Sequence, residues 1–130
     1  MLTPKKKRIN SKNKGNVYER ELAKIFREEL LLNCSTSRAG SRLMDNCGVD
    51  FINVPWLGSA KTGYKARRPK PDEIFAYIKS NIEKHFEPSD PIHDLPIFLF
   101  HKINGRSELN HYVSMPFSTW LKIISVFLKH

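Results

Sequence analysis

Residues 48–73 have the sequence GVDFINVPWLGSAKTGYKARRPKPDE, and the order of residue types in this segment decides the fold. A turn of small residues carries Asp50, and a stretch rich in aromatic and β-branched residues follows it, which is typical of a strand. Pro55 interrupts that stretch, and proline is found at strand edges and bends because it lacks the N–H that a central strand needs. We therefore predict one strand over residues 49–57 and a second over residues 56–62.

The second predicted strand ends in a cationic link and a helix. Side chains two positions apart on a strand share a face, so Ser59 and Lys61 are expected to point the same way. A helix is predicted over residues 72–86, after Pro71, with an apolar stripe of Phe75, Ile78, Ile82 and Phe86. Two acids in its first turn, Asp72 and Glu73, are explained by the helix dipole, and a role in a site is the alternative.

The first helix is predicted over residues 17–32, where apolar residues recur at steps of three and four. These residues are Tyr18, Leu22, Ile25, Phe26 and Leu30. Glu19 stands three positions after Asn16, which is the spacing of a capping box, so Glu19 is either a capping residue or an active-site acid. The two roles are compatible and both stay open.

Two polar segments flank this helix. Residues 1–14 are dense in lysine and arginine and poor in large apolar groups, which predicts a flexible basic arm ahead of one domain over residues 15–130. Residues 33–46 form a predicted loop. Arg38, Ser41 and Arg42 in that loop are candidate donors to phosphate oxygens, and an ordinary exposed loop is the alternative.

The C-terminal half of the chain contains a hairpin and a final helix. LPIFLFHK, residues 95–102, is a nearly continuous apolar run that predicts a central strand, and Asn104-Gly105 supplies a turn before a second run over residues 111–115. A helix over residues 117–128 is expected to face inward with Leu121, Ile123, Ile124 and Phe127. The predicted fold class is α/β, a single mixed sheet flanked by helices in the order αββαββα.

The charge of the chain limits its partners. Lysine and arginine number 22 against 13 acids, a formal charge of +9, which favours a polyanion such as nucleic acid over an anionic membrane surface. No apolar run approaches the roughly 20 residues that span a bilayer, so we expect no membrane partner and a cytoplasmic protein. PKKKR at residues 4–8 leaves nuclear import open as an alternative. Cys34 and Cys47 are expected to be reduced, because neither shows metal-ligand spacing.

Hydrolysis of a phosphodiester requires a hard divalent cation held by carboxylates, an activated water and positive charge near the transition state. Asp50, Lys61 and a further acid supply these groups. The order of residues therefore favours metal-assisted phosphodiester hydrolysis, although many α/β domains carry an acid near one strand and a lysine on the next.

Several segments together resemble the small Holliday-junction resolvases of archaea and phages, which belong to the PD-(D/E)XK nuclease superfamily. The segments are KGNVYERELAKIF, SRAGSR, GVD, the strand ending in Lys61, the LPIFLFHK hairpin and the final helix. The resemblance covers about residues 14–128 and implies a restriction-endonuclease-like core with Glu19, Asp50 and Lys61 in the site. It also implies a homodimeric endonuclease acting on branched DNA, with Mg²⁺, or Mn²⁺ in its place, and a cellular location at the nucleoid or in a virus-infected cell.

The chain departs from that family at Ser59, where the family carries an acid two positions before the lysine. A branch of type II restriction endonucleases in the same superfamily has SxK here and takes the missing carboxylate from the next helix. By this resemblance Glu73, with Asp72 as the alternative, joins Asp50 as a metal ligand, Glu19 supports the metal, and Lys61 orients the attacking water.

The expected phosphate-binding residues are Arg38, Ser41, Arg42, Lys65, Arg67 and Arg68. Two alternatives to a junction resolvase stay open. One is a nuclease for duplex or damaged DNA, and the other is a nucleic-acid-binding module without catalytic activity.

Overall fold

A computed structural model of the chain describes residues 11–62, 70–102 and 111–129. In this part the elements follow the order α1 (Ser11–Leu30), β1 (Ser35–Thr36), α2 (Ser37–Gly40), α3 (Arg42–Asn46), β2 (Phe51–Ile52), β3 (Leu57–Thr62), α4 (Pro71–His85), a 3₁₀ turn (Pro91–Asp94), β4 (Ile97–Lys102), β5 (His111–Ser114) and α5 (Phe117–Lys129).

A mixed sheet of three strands, in the order β3-β4-β5, forms the centre of this arrangement. β3 and β4 run parallel and β4 and β5 antiparallel, so the predictions of a hairpin and of a central strand at residues 95–102 are confirmed. A separate antiparallel ribbon pairs β1 with β2. The mixed α/β class with a small sheet flanked by helices is confirmed. The predicted order αββαββα lacks β1, α2 and α3, which lie in the segment predicted to be a loop.

α1 begins at Ser11, six residues before the predicted start, so the last part of the expected basic arm is helical. Residues 1–10 of that arm lie outside the described residues. Asn16 therefore lies within the helix, and the capping-box explanation of Glu19 is wrong. The helix ends at Leu30, and Leu31 follows with a φ of 56°, the left-handed conformation that commonly terminates a helix.

The hydrophobic core consists of two clusters of buried side chains. The α1 cluster is formed by Tyr18, Leu22, Ala23, Phe26, Cys34, Phe51, Ala60 and Phe100. The α4 cluster is formed by Cys47, Val49, Leu57, Ile78 and Ile82. Ile25 and Leu30, which were predicted to belong to the apolar stripe of α1, are 37% and 53% exposed. Both cysteines are buried and unbridged, one in each cluster, as predicted.

The turn before Asp50 depends on Gly48. Its φ of +83° is in the left-handed region that side chains disfavour, and a Cβ there would approach Cε1 of Tyr77 to 2.8 Å. β2 is only two residues long, and Asn53 after it also has a positive φ of 63°. The strand predicted over residues 49–57 is therefore limited to Phe51–Ile52, and the backbone bends at residues 53–56, around Pro55, before β3 begins.

The residues of α5 that were predicted to face inward are not buried. None of its residues is buried, and Leu121, Ile123 and Phe127 are 48%, 41% and 74% exposed. Ile124, the fourth residue predicted to face inward, is half-buried. Within the described ranges, no helix is long and apolar enough to cross a membrane.

Candidate active site

Asp50 is fixed by three hydrogen bonds, two to β3 and one to the first residue of α2. Its backbone N–H donates to the carbonyl of Gly58 at 2.7 Å, and its own carbonyl accepts from the N–H of Ser37 at 2.9 Å. The N–H of Ala60 donates to Oδ2 of the Asp50 side chain at 2.7 Å. The carboxylate therefore has a defined position beside β3 even though β2, the strand after it, is short.

Burial makes the charged form of Asp50 unfavourable. Desolvation and the nearby Glu19 carboxylate raise its pKa to about 7, from an ordinary value of 3.8. The Ala60 N–H and the positive charges of Lys61 and Arg38 act in the opposite direction, and they offset only part of the increase. When Asp50 and Glu19 are both ionised, Lys61 and Arg38 therefore do not fully offset the desolvation of Asp50 and its repulsion by Glu19.

Glu19 supplies the second carboxylate of the site. Glu19 is 3% exposed, and Nε of Arg38 donates to its Oε2 at 2.9 Å while Nη2 donates to Oε1 at 3.4 Å. Because a buried carboxylate without a partner is costly, Arg38 stabilises Glu19 in this position. Of the two roles left open by the sequence, the structure rejects the cap, and the role as an active-site acid stays a prediction.

A cleft of about 350 Å³ opens over this ion pair. It is lined by Asn16, Glu19, Arg20, Thr36, Arg38 and Ala39. Asn16 and Arg20 were not predicted from the sequence, although Asn16, Glu19 and Arg20 have the i, i+3, i+4 spacing that places residues on one helix face. That spacing is the signal that identifies them. α1 therefore contributes two more polar side chains to the opening of the site.

Lys61 lies on β3, one residue after the Ala60 N–H that binds Asp50. It is half-buried, and it lies opposite His101 in the parallel register of β3 and β4. His101 is buried, its Nε2 is 2.8 Å from Oγ of Ser114, and its ring packs edge-on against Tyr112. Glu19 and Lys61, which the resemblance placed in one site with Asp50, are both close enough to Asp50 for their charges to shift its pKa.

Ser59 and Glu73 differ in their surroundings from these three residues. Ser59 is 2% exposed and lies opposite Leu99 of β4, in the interior of the sheet. Glu73 has a side chain that is 68% exposed, and its Oε1 is 3.7 Å from Nζ of Lys70. The charged groups that shift the pKa of Asp50 are Glu19, Lys61 and Arg38, and Glu73 is not among them.

The structure describes three of the six predicted phosphate-binding residues, and these three differ in their contacts. Arg38 pairs with Glu19, while Arg42 is exposed at the start of α3. Oγ of Ser41 accepts from the N–H of Met44 at 3.2 Å, so this hydroxyl caps α3. Lys65, Arg67 and Arg68 lie outside the described residues.

The candidate site offers two carboxylates, those of Asp50 and Glu19, to a metal ion. Across the described residues there is no group of three or more His, Cys, Asp and Glu side chains that would hold a metal. Mg²⁺ is bound in many proteins by one or two carboxylates together with water molecules, so a site for this ion does not require a third acid. A divalent cation would also offset the mutual repulsion that raises the pKa of Asp50.

No protein-family model, curated protein or solved structure matches this chain.

Proposed function

We propose that this protein is a Mg²⁺-dependent DNA endonuclease of the Holliday-junction resolvase type. The observation that carries the proposal is that the Ala60 N–H holds Asp50 against β3, where the charges of Glu19 and Lys61 both act on its carboxyl group. Two acids and a lysine from separate segments match the requirements of metal-assisted phosphodiester hydrolysis. A restriction-endonuclease-like core is part of this proposal.

Asp50 and Glu19 would hold the metal ion, Mg²⁺ or Mn²⁺, which supplies a Lewis acid and a water of lowered pKa. Ionisation of Asp50 is required for this role, and Lys61 and the metal both favour it. Arg38 would then have one of two tasks. It either remains on Glu19 or contacts a phosphate at the opening of the cleft, since guanidinium groups bind phosphate and carboxylate equally well.

Lys61 is proposed to orient the attacking water and to stabilise the negative charge that develops on the phosphate. Its place beside Asp50 on a rigid strand supports this role, because positions on strands hold geometry better than positions on loops. Glu73, predicted from the sequence as a metal ligand, stays a prediction.

DNA is the proposed substrate because the chain carries a formal charge of +9 and because arginines lie next to the carboxylates. We further propose a homodimer, since cutting both strands of a branched DNA requires two sites related by symmetry. A nuclease for linear or damaged duplex DNA would use the same residues.

A second candidate function is a nucleic-acid-binding module without catalytic activity. The specific observation in its favour is the buried Ser59 at the position where the resemblance expects an acid, together with the Arg38 cation on Glu19. A module of this kind would bind DNA through its cationic surface and would need no metal.

Cleavage of a four-way junction and of a linear duplex with the same sequences, each with Mg²⁺ and with EDTA, tests these functions. A resolvase cuts the junction in preference to the duplex and only with Mg²⁺. A general nuclease cuts both substrates. Binding of either DNA with no cleavage under any condition would reject the enzyme and favour the module.

A further inference from the structure

We infer that the outer face of α5 is the surface on which two copies of this chain associate. The outer face is defined by Phe117, Trp120, Leu121, Ile124, Phe127 and Leu128. These positions follow steps of three and four residues and so form one face of the helix. The inference deepens the homodimer of the proposed function by naming its interface.

α5 turns its more polar side toward its own domain. Five residues of α5, three polar and two apolar, line a groove of about 810 Å³ together with Ile82 and Glu83 of α4: Ser118, Thr119, Lys122, Ile123 and Val126. An amphipathic helix of a single domain normally does the reverse and buries its apolar face against the core. The orientation of α5 therefore leaves its most apolar side without a partner in the described part of the molecule.

The exposed area is that of a protein interface. Phe117, Phe127 and Leu128 are 72%, 74% and 76% exposed. Trp120 and Leu121 are 43% and 48% exposed, and the rings of Phe117 and Trp120 stack with centroids 5.8 Å apart. A whole side chain of this size has an accessible surface of about 150–250 Å². The exposed fractions of the outer face therefore leave on the order of 700 Å² of apolar surface in contact with water. The largest patch on a monomer is usually about 300–600 Å², and each partner of a standard interface buries about 800 Å².

The absence of charge on the outer face suits contact with a second copy of this cationic chain. Two copies, each with a formal charge of +9, repel one another, so their contact has to be apolar, and the outer face has no charged residue. The segments outside the described residues contain few large apolar side chains that would cover it: Met1, Leu2, Ile9, Tyr64, Ile103 and Leu109. A membrane-bound helix usually has a strongly basic polar face, and α5 has only Lys122 and Lys129.

Sedimentation velocity of the full chain without DNA tests the inference. We expect the wild-type protein to be a dimer and Phe127→Glu to be a monomer, because each two-fold contact would then bury two carboxylates. The dissociation constant should rise by about 100-fold or more. Ser125→Glu adds the same charge on the polar side of α5 and should remain a dimer. Because both positions are exposed, far-UV circular dichroism should show that each variant is folded.

Three results would overturn this inference. They are a monomeric wild type at micromolar concentrations, a Phe127→Glu variant that stays dimeric, and a monomer that binds anionic phosphatidylserine vesicles through Phe127. Cleavage assays on the same preparations separate this inference from the proposed function. A dimer that does not cut DNA would leave the interface intact and remove the enzyme, and a monomer that cuts DNA would do the opposite.

Discussion

The backbone N–H of Ala60 donates a hydrogen bond of 2.7 Å to Oδ2 of Asp50, so the strand next to the site holds the carboxylate directly. The bond stabilises the ionised form, but burial and Glu19 have the larger effect and raise the pKa of Asp50 to about 7. The metal-free site is consequently under electrostatic strain near neutral pH. This relationship between Asp50 and β3 gives the first testable consequence.

Asp50→Asn should change how stability depends on pH. The unfolded carboxyl ionises near pH 4 and the folded one near pH 7, so the folded state retains a proton that the unfolded state has lost, and the wild type loses stability as the pH rises between these values. Asparagine stays neutral and keeps an oxygen for the Ala60 N–H. In EDTA the variant should gain on the order of 4 kcal/mol relative to wild type between pH 4 and pH 8. Urea unfolding at several pH values measures this, with the exposed Asp94→Asn as the control. Parallel curves for Asp50→Asn and wild type would contradict the electrostatic account.

Arg38→Met should destabilise the fold by leaving the Glu19 carboxylate buried without its cation. We expect a loss of about 1–2 kcal/mol, less than the roughly 3–5 kcal/mol of a fully buried pair, because the Arg38 side chain is 41% exposed. Arg42→Met, at an exposed position nearby, should cost less than about 0.5 kcal/mol. Adding Glu19→Gln to Arg38→Met should recover part of the loss in chemical denaturation. Equal losses for the two arginine variants would show that the ion pair has no structural role.

Lys61→Met should abolish Mg²⁺-dependent cleavage while leaving folding and junction binding close to wild type. Methionine keeps the length of the side chain and removes the charge that acts on Asp50 and on the phosphate. The control is Lys84→Met in the exposed last turn of α4, which should cut normally. Cleavage and gel-shift assays on the same junction separate the possible results. Parallel losses of cleavage and binding would make Lys61 a phosphate anchor instead.

Local patterns predicted the long elements of this protein, and long-range contacts decided the rest. The apolar run at residues 95–102 and the periodic helix after Pro71 carry their signals within the sequence itself. β1 consists of two residues that are ordered by pairing with β2, and α2 follows from a hydrogen bond between Ser37 and Asp50. Such short elements have no periodicity, so the segment that contains them was predicted to be a loop.

The candidate site residues were selected from the sequence, and their role in a site stays a prediction. Glu19, Asp50 and Lys61 followed from the resemblance, whereas the Glu19–Arg38 ion pair joins residues whose partnership has no pattern in the sequence. Periodicity likewise identified the apolar face of α5 and gave no information on whether its own core or another molecule covers that face.

Glu73→Ala distinguishes two origins for the second metal-binding carboxylate. In the structure Glu73 contacts only Lys70 among the described ion pairs, so its removal should cost less than about 0.5 kcal/mol and leave cleavage largely unchanged. Glu19→Gln should remove cleavage as completely as Asp50→Asn. Complete loss with Glu73→Ala, and little effect of Asp72→Ala, would instead establish the relocated acid that the SxK resemblance implies.

Removal of residues 1–10 should weaken the salt dependence of DNA binding. Each phosphate neutralised on B-form DNA contributes about 0.9 to the slope of log K against log salt concentration, and this segment carries Lys5, Lys6, Lys7 and Arg8. The truncation ends before Ser11, where α1 begins, so the helix is preserved. Titrations at several salt concentrations give the two slopes. Identical slopes would show that the arm does not contact the phosphates.

The parallel pairing of β3 with β4 also sets the stage of synthesis at which the sheet that carries Lys61 can be complete. Lys61 lies opposite His101, and all of α4 and the 3₁₀ turn separate these two positions along the chain. Pairing across such a separation forms slowly, because a long loop has to close before the strands stabilise one another. A nascent chain therefore cannot complete this pairing before β4 has left the ribosome. The proposed cleavage activity begins only after synthesis has passed Lys102.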